Sequence, residues 1–200
     1  MNASLLHAGV ELRNEIAALL PIDHERAGEL REIAFAPEIW SYMGMRIESE
    51  QDFCDYLAGM FQERELGRCP PFLVLDRRSD RIAGCTRYGY INLASEKCEI
   101  GWTWYGQEFW GTGLNRACKH ALLSYGFERV GFRRIQFSAD LENKRSQKAV
   151  ERLGATREGE FRNNYIDAEG RSRHDVYYSL VREEWDEIKA ARFPELSIAY

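Results

Sequence analysis

A glycine-rich turn set between a strand and a helix constrains this chain more than any other stretch. It lies within KCEIGWTWYGQEFWGTGLNRACKHALLSYGFERV, Lys97 to Val130. Cys98 to Tyr105 is rich in aromatic and β-branched residues bounded by polar ones, which reads as a strand. From Asn115 onward Ala117, Cys118, Ala121, Leu122 and Tyr125 recur at helical spacing, with Asn115 a candidate cap for the first turn. Between them lies Trp110-Gly111-Thr112-Gly113-Leu114. Such a turn leaves backbone N–H groups at the positive end of the helix dipole, where phosphate oxygens bind. The spacing therefore suggests a ligand bearing a pyrophosphate, although glycine that merely relieves a tight connection would leave the same trace. A nucleoside-triphosphate P-loop is excluded because no Gly-Lys-Ser/Thr follows, and a dinucleotide fingerprint because the third glycine is missing.

Composition narrows the classes further. With 200 residues, 44% hydrophobic and 30% charged, the chain is long enough for a well-buried core and is expected to form one domain over 1–200. A net charge of −5 argues against broad affinity for nucleic acid and mildly favours cationic substrates. No apolar run approaches a membrane span, and Glu11, Arg13 and Glu15 fall where a signal peptide would be apolar, so a cytoplasmic protein without membrane contact is expected. Five scattered cysteines, Cys54, Cys69, Cys85, Cys98 and Cys118, form no Cys-x-x-Cys pair and are read as reduced thiols. His7, His24, His120 and His174 are equally scattered, so no metal site is expected.

Along the chain, Ile16 to Ile22 reads as a first strand, followed by a helix to about Phe35. A loop containing Trp40 and Tyr42 leads to a helix opened by Ser49-x-x-Asp52 and running to about Leu66; the two aromatics would either cover the core or line a pocket. Pro71 to Asp76 and Ile82 to Asn92 read as a hairpin, with Cys98 to Tyr105 pairing next to give a meander. Arg134 to Ala139 is a strand and Lys144 to Leu153 a short helix, so the strand–helix–strand order around the glycine turn implies a parallel pair. Thr156 to Tyr165 and Arg173 to Val181 form a second hairpin around Asp167-Ala168-Glu169-Gly170, and a last helix begins near Glu183. The class is α+β: a mixed, mainly antiparallel sheet flanked by helices.

This order of elements, together with Leu141-Glu142-Asn143-Lys144-Arg145-Ser146-Gln147-Lys148-Ala149, Leu153-Gly154-Ala155 and Glu158-Gly159-Glu160-Phe161-Arg162, resembles the Gcn5-related N-acetyltransferases, most closely their RimJ/RimL-like branch. The resemblance covers nearly the whole chain. It implies acetyl-CoA as donor, a primary amine as acceptor, and a cleft opened where one parallel strand splays from the other. The family pattern Arg/Gln-x-x-Gly-x-Gly/Ala aligns with Trp110 to Asn115, and this chain departs from it at both ends while keeping Gly113. Trp110, Gly111, Thr112, Gly113, Leu114 and Asn115 would cradle the phosphates. By the same alignment the backbone of Thr103, Trp104 and Tyr105 would pair with the pantetheine amides, and the Asn143 side chain would hold the cofactor arm; an ordinary buried sheet and a helix cap are the competing readings.

The chemistry needs a neutral amine and a proton for the departing thiolate. Glu99 falls near the general base of the histone-acetylating relatives; a solvated strand-end charge is the competing reading. Ser146 is the candidate proton donor on the thiol side, against a role in helix capping, because the tyrosine that many family members carry on that helix is missing here. Tyr165, Arg162, His174 and Asp175 lie on strands that usually bound the acceptor, although for any one of them a role in sheet-edge hydrogen bonds or ion pairs is the stronger reading. The acceptor itself stays open between a protein N-terminal amine and a small-molecule amine, as does the choice between monomer and homodimer. A non-catalytic acyl-CoA-binding sensor or scaffold is the alternative class.

Overall fold

The computed structural model describes residues 1–7 and 9–200. Its centre is one eight-stranded sheet in the order β1-β2-β3-β4-β5-β6-β8-β7. The strands are β1 (Leu12–Arg13), β2 (Ala17–Pro21), β3 (Pro71–Asp76), β4 (Arg81–Asn92), β5 (Lys97–Tyr105), β6 (Arg134–Asp140), β7 (Thr156–Ile166) and β8 (Ser172–Val181). Every neighbouring pair is antiparallel except β5 and β6. The meander, the parallel pair and the last hairpin expected from the sequence are all present, and the class is α+β.

Helices cover the sheet unevenly. On one face α1 (His24–Ala27), α2 (Arg31–Ala34) and α3 (Glu50–Glu65) pack on Leu20, Leu73, Cys85 and Trp104. The Ser49–Asp52 capping box is formed in full, which satisfies orphan donors of α3. On the other face α4 (Leu114–Ser124) and α6 (Trp185–Arg192) enclose the larger core, with Tyr88, Ile135, Phe137 and Tyr178 beneath them and α5 (Lys144–Arg152) contributing Val150. No helix among the described residues is long and apolar enough to cross a membrane.

The structure corrects one reading and decides another that was left open. Asn115 is not the cap of α4: the helix starts at Leu114, its N-cap is Gly113 at φ +85°, and no side chain caps it. The left-handed conformation that glycine allows ends the turn one residue earlier than the polar side chain suggested. Trp40 belongs to the core, where it is 3% exposed and its indole N–H donates to the Ala34 carbonyl at 2.7 Å, whereas Tyr42 stays exposed. Helix α4 is buried nearly all round, so even His120 is enclosed; burial pushes its imidazole down to about 4 and keeps it neutral at neutral pH.

Candidate active site

The site begins where β5 and β6 part. Their parallel pairing runs only through Lys97↔Arg134, Cys98↔Ile135 and Glu99↔Gln136. Beyond it β5 follows β4 to Tyr105↔Gly84, while β6 follows β8 to Asp140↔Asp175. Each strand keeps its outer partner and loses the inner one, which leaves a wedge with an unpaired β5 edge from Ile100 to Tyr105. Backbone N–H and C=O groups on such an edge need partners, and an extended amide chain supplies them. A bulge shapes the edge further. Trp102 adopts φ +48°, and the two steps along β4 from Cys85 to Arg87 stand opposite three steps along β5 from Trp104 to Gly101.

Glu99 stands at the point of the wedge and is 3% exposed. Its carboxylate accepts from Ser138 Oγ at 2.7 Å and from Gln136 Nε2 at 2.9 Å. Burial pushes its pKa above the ordinary carboxylate range, the two hydrogen bonds pull against this without cancelling it, and the nearby Asp175 charge adds to the rise. It is therefore no solvated strand-end charge. Asp175 is itself raised by burial and accepts from Asn164 Nδ2 at 2.7 Å, and Asn164 also donates to the Tyr177 hydroxyl at 3.2 Å. Tyr165 serves a neighbouring network: its hydroxyl donates to Asp140 at 2.7 Å, and Arg173 clamps the same carboxylate with two bonds of 2.9 Å. Asp140 also accepts from the Glu142 N–H at 2.7 Å, so this network fixes the chain leading into α5. Arg162 is exposed, and His174 accepts from the Asn163 N–H at 2.8 Å. Of the four acceptor-side candidates, only Asp175 approaches Glu99.

At the wide end of the wedge lies the glycine turn. Gly111 and Gly113 have φ +75° and +85°, and a Cβ added at either would meet nothing within 4 Å. The turn is braced through its carbonyls: Thr112 Oγ1 donates to Phe109 O at 2.8 Å, and Arg78 donates to Thr112 O at 3.0 Å. Among the described residues the N–H groups of Gly111, Thr112 and Gly113 find no protein acceptor. Open space, left-handed backbone and spare N–H groups at a helix start fit a pyrophosphate. Trp110 ties this turn to β5, its indole N–H donating to Tyr105 O at 3.0 Å, and the Arg145 guanidinium lies 3.5 Å from its ring centroid. Leu114 is wholly buried, so only its backbone is available; the side-chain Oδ1 of Asn115 accepts from the Tyr105 hydroxyl at 3.3 Å.

The start of α5 faces the same region. Asn143 caps the helix, its side-chain oxygen accepting the Ser146 N–H at 3.0 Å, while no partner for its amide nitrogen is found among the described residues. The Ser146 hydroxyl is not the cap and likewise finds no protein partner among them. A cavity of about 370 Å³ lies here, lined by Tyr42, Trp110, Asn143, Lys144 and Arg145. Trp104 turns its side chain away, to the α3 face, where its N–H donates to Tyr56 at 2.9 Å, leaving only its backbone at the wedge.

Sequence reasoning missed one residue beside this edge. Lys119 on α4 is 5% exposed and donates to Thr103 Oγ1 at 2.6 Å and Thr86 Oγ1 at 3.2 Å. A lysine among helical residues ordinarily reads as surface; the signal available was that it is the lone charge between Arg116 and Glu128.

Comparisons with known proteins agree with this geometry. The model of the family described as "Acetyltransferase (GNAT) domain" matches residues 18–156. A Bacillus subtilis protein named "Putative ribosomal N-acetyltransferase YdaF" is 35% identical over 107 residues, 52% of this chain and 56% of that protein, so the chain spans little more than half of that relative. The crystal structure of a GCN5-related N-acetyltransferase from Brucella melitensis superposes with a TM-score of 0.84 at 23% identity, covering 92% of this chain and 84% of that one. RimJ of Mycobacterium smegmatis, solved in complex with CoA-disulfide, shares the fold with a TM-score of 0.78 at 19% identity over 92% of this chain and 95% of its own. The chain belongs to the GNAT family of acetyltransferases.

Proposed function

We infer that this protein moves an acetyl group from acetyl-CoA directly to a primary amine while both are bound. The observation that carries this reading is the parting of β5 from β6 immediately after Glu99↔Gln136, which sets a buried, raised-pKa carboxylate at the head of an unpaired strand edge. Acetyl-CoA, when bound, supplies an activated acetyl thioester. The N–H groups of Gly111 to Asn115 would hold its pyrophosphate, with Trp110 fixing the turn against β5. The backbone of Thr103, Trp104 and Tyr105 would pair with the pantetheine arm, and the free amide nitrogen of Asn143 would hold it from the α5 side.

Glu99 would accept the proton of the incoming ammonium, through a water, since its elevated pKa makes it a better base than an exposed carboxylate. Ser146, with an uncommitted hydroxyl in the first turn of α5, would donate to the sulfur as negative charge develops there. A protein N-terminal amine is the first acceptor to test, because the B. subtilis relative is named for ribosomal acetylation; small cationic amines come next, given the net charge of −5.

Free thiol released from acetyl-CoA should appear when peptides with free N-termini or small polyamines are supplied, and mass spectrometry should find the acetyl group on the amine. Ser146→Ala should lower kcat by about tenfold or more with acetyl-CoA affinity nearly unchanged, since the interaction forms in the transition state. Release from no amine in either set would overturn the transferase reading in favour of a sensor that binds acyl-CoA without turnover.

A further inference from the structure

Lys119 is the anomaly of this structure. Its ammonium is buried between α4 and the sheet, and among the described residues no carboxylate pairs with it. Its partners are two threonine hydroxyls, Thr86 on β4 and Thr103 on β5, which stand 2.7 Å from each other. A buried charge without a counter-charge costs stability, and an apolar side chain of the same length would avoid that cost. Its position suggests what offsets the cost. Thr103 follows the left-handed Trp102 and forms the bulge, its hydroxyl also lying 3.2 Å from the Gly101 carbonyl. This is the free edge of β5. Five residues along α4 from Leu114, Lys119 also lies roughly 8 Å below the glycine turn.

We propose that Lys119 is the positive pole of the donor site: through Thr103 it fixes the bulged edge of β5, and its buried charge draws a polyanionic cofactor into the wedge. The inference rests on the reading that the wedge takes acetyl-CoA. Where the family pattern places Arg or Gln at the head of the glycine turn this chain has Trp110, and the cations beside the turn, Arg78 and Arg145, are exposed. In a low-dielectric interior a single charge reaches farther than an exposed arginine would. The role is one of positioning and electrostatics, for nothing places the amine against the reacting atoms.

The titration of this group supplies a readout that a structural lysine would not move. Burial lowers the Lys119 pKa to about 8. The titratable groups that face it are the thiols of Cys118 on its own helix and Cys85 on β4, pushed by burial up to about 12 and about 11, so both stay neutral while the lysine titrates. Below about pH 8 the ammonium is charged, and above it the attraction is lost.

The test is calorimetric titration of acetyl-CoA into the full chain between pH 7 and 9.5, alongside thermal melting without ligand. Wild type should bind more weakly as pH rises through about 8. Lys119→Met should bind at least tenfold more weakly at pH 7, show a flat pH profile, and melt at a higher temperature than wild type, since the unpaired charge is gone while Thr86 and Thr103 keep each other as partners. Thr103→Val, which keeps the lysine, should also weaken binding. Equal affinity of Lys119→Met and wild type at pH 7, a lower melting temperature with an unaltered pH profile, or full affinity in Thr103→Val would overturn the proposal. Absence of acetyl-CoA binding by wild type would overturn instead the donor reading on which it rests.

Discussion

Glu99→Gln is expected to lower kcat by about 10²- to 10⁴-fold, the range that a positioned general base contributes, with acetyl-CoA affinity within about twofold of wild type. Glutamine keeps the volume and one acceptor for Ser138 but cannot take a proton. The sign of the pH effect follows from the raised pKa of the buried carboxyl. As pH falls through that raised value the carboxylate is protonated and can no longer act as a base, so the wild-type rate should fall on the acid side. The variant should lack that limb when the acceptor amine is mostly protonated across the range. The same shift makes a stability statement. A carboxyl whose folded pKa exceeds its unfolded one loses stability as pH rises through the folded value, so at neutral pH Glu99 is a burden. The variant should therefore melt no lower than wild type. Turnover and pH dependence that survive in Glu99→Gln would assign the base to another group.

Gly113→Val should weaken acetyl-CoA binding by tenfold or more, about 1.4 kcal/mol, and do so in a chain that still folds. Space is not the obstacle, since an added Cβ meets nothing within 4 Å. The obstacle is conformational: φ +85° costs a side-chain-bearing residue roughly 1–2 kcal/mol, and a β-branched one is least tolerant of it. If the turn relaxes, its N–H groups cease to converge; if it holds, the isopropyl group stands where phosphate would approach. Circular dichroism and melting should show a folded protein, and calorimetry the loss. Unchanged affinity in a folded variant would remove this turn from the donor site.

How much of this was legible in the sequence depends on the range of the interactions concerned. The strand before the glycine turn, α4 after it and both hairpins rest on local periodicity and turn residues, and they appear where the sequence placed them. The parallel pair followed from the strand–helix–strand order, and its splaying from family resemblance rather than from any residue pattern. The α4 cap was misplaced because Asn115 looked like a capping side chain, whereas the backbone of Gly113 did the work with no side chain. The bulge left no trace, since tryptophan is a poor sign of positive φ. Lys119 was hidden for a different reason: its partners lie 16 and 33 positions away. The bonds of Glu99 to Gln136 and Ser138 span 37 and 39 positions and turned an ambiguous charge into a buried one with a defined environment.

Amide hydrogen exchange with and without acetyl-CoA reports directly on the backbone groups assigned to the donor. Exchange should slow, on adding acetyl-CoA, at the β5 edge from Gly101 to Tyr105 and at the turn from Gly111 to Asn115, with β1 and the β7–β8 hairpin turn unaffected. Protection confined to other segments, or unchanged exchange at both stretches under saturating acetyl-CoA, would contradict that assignment.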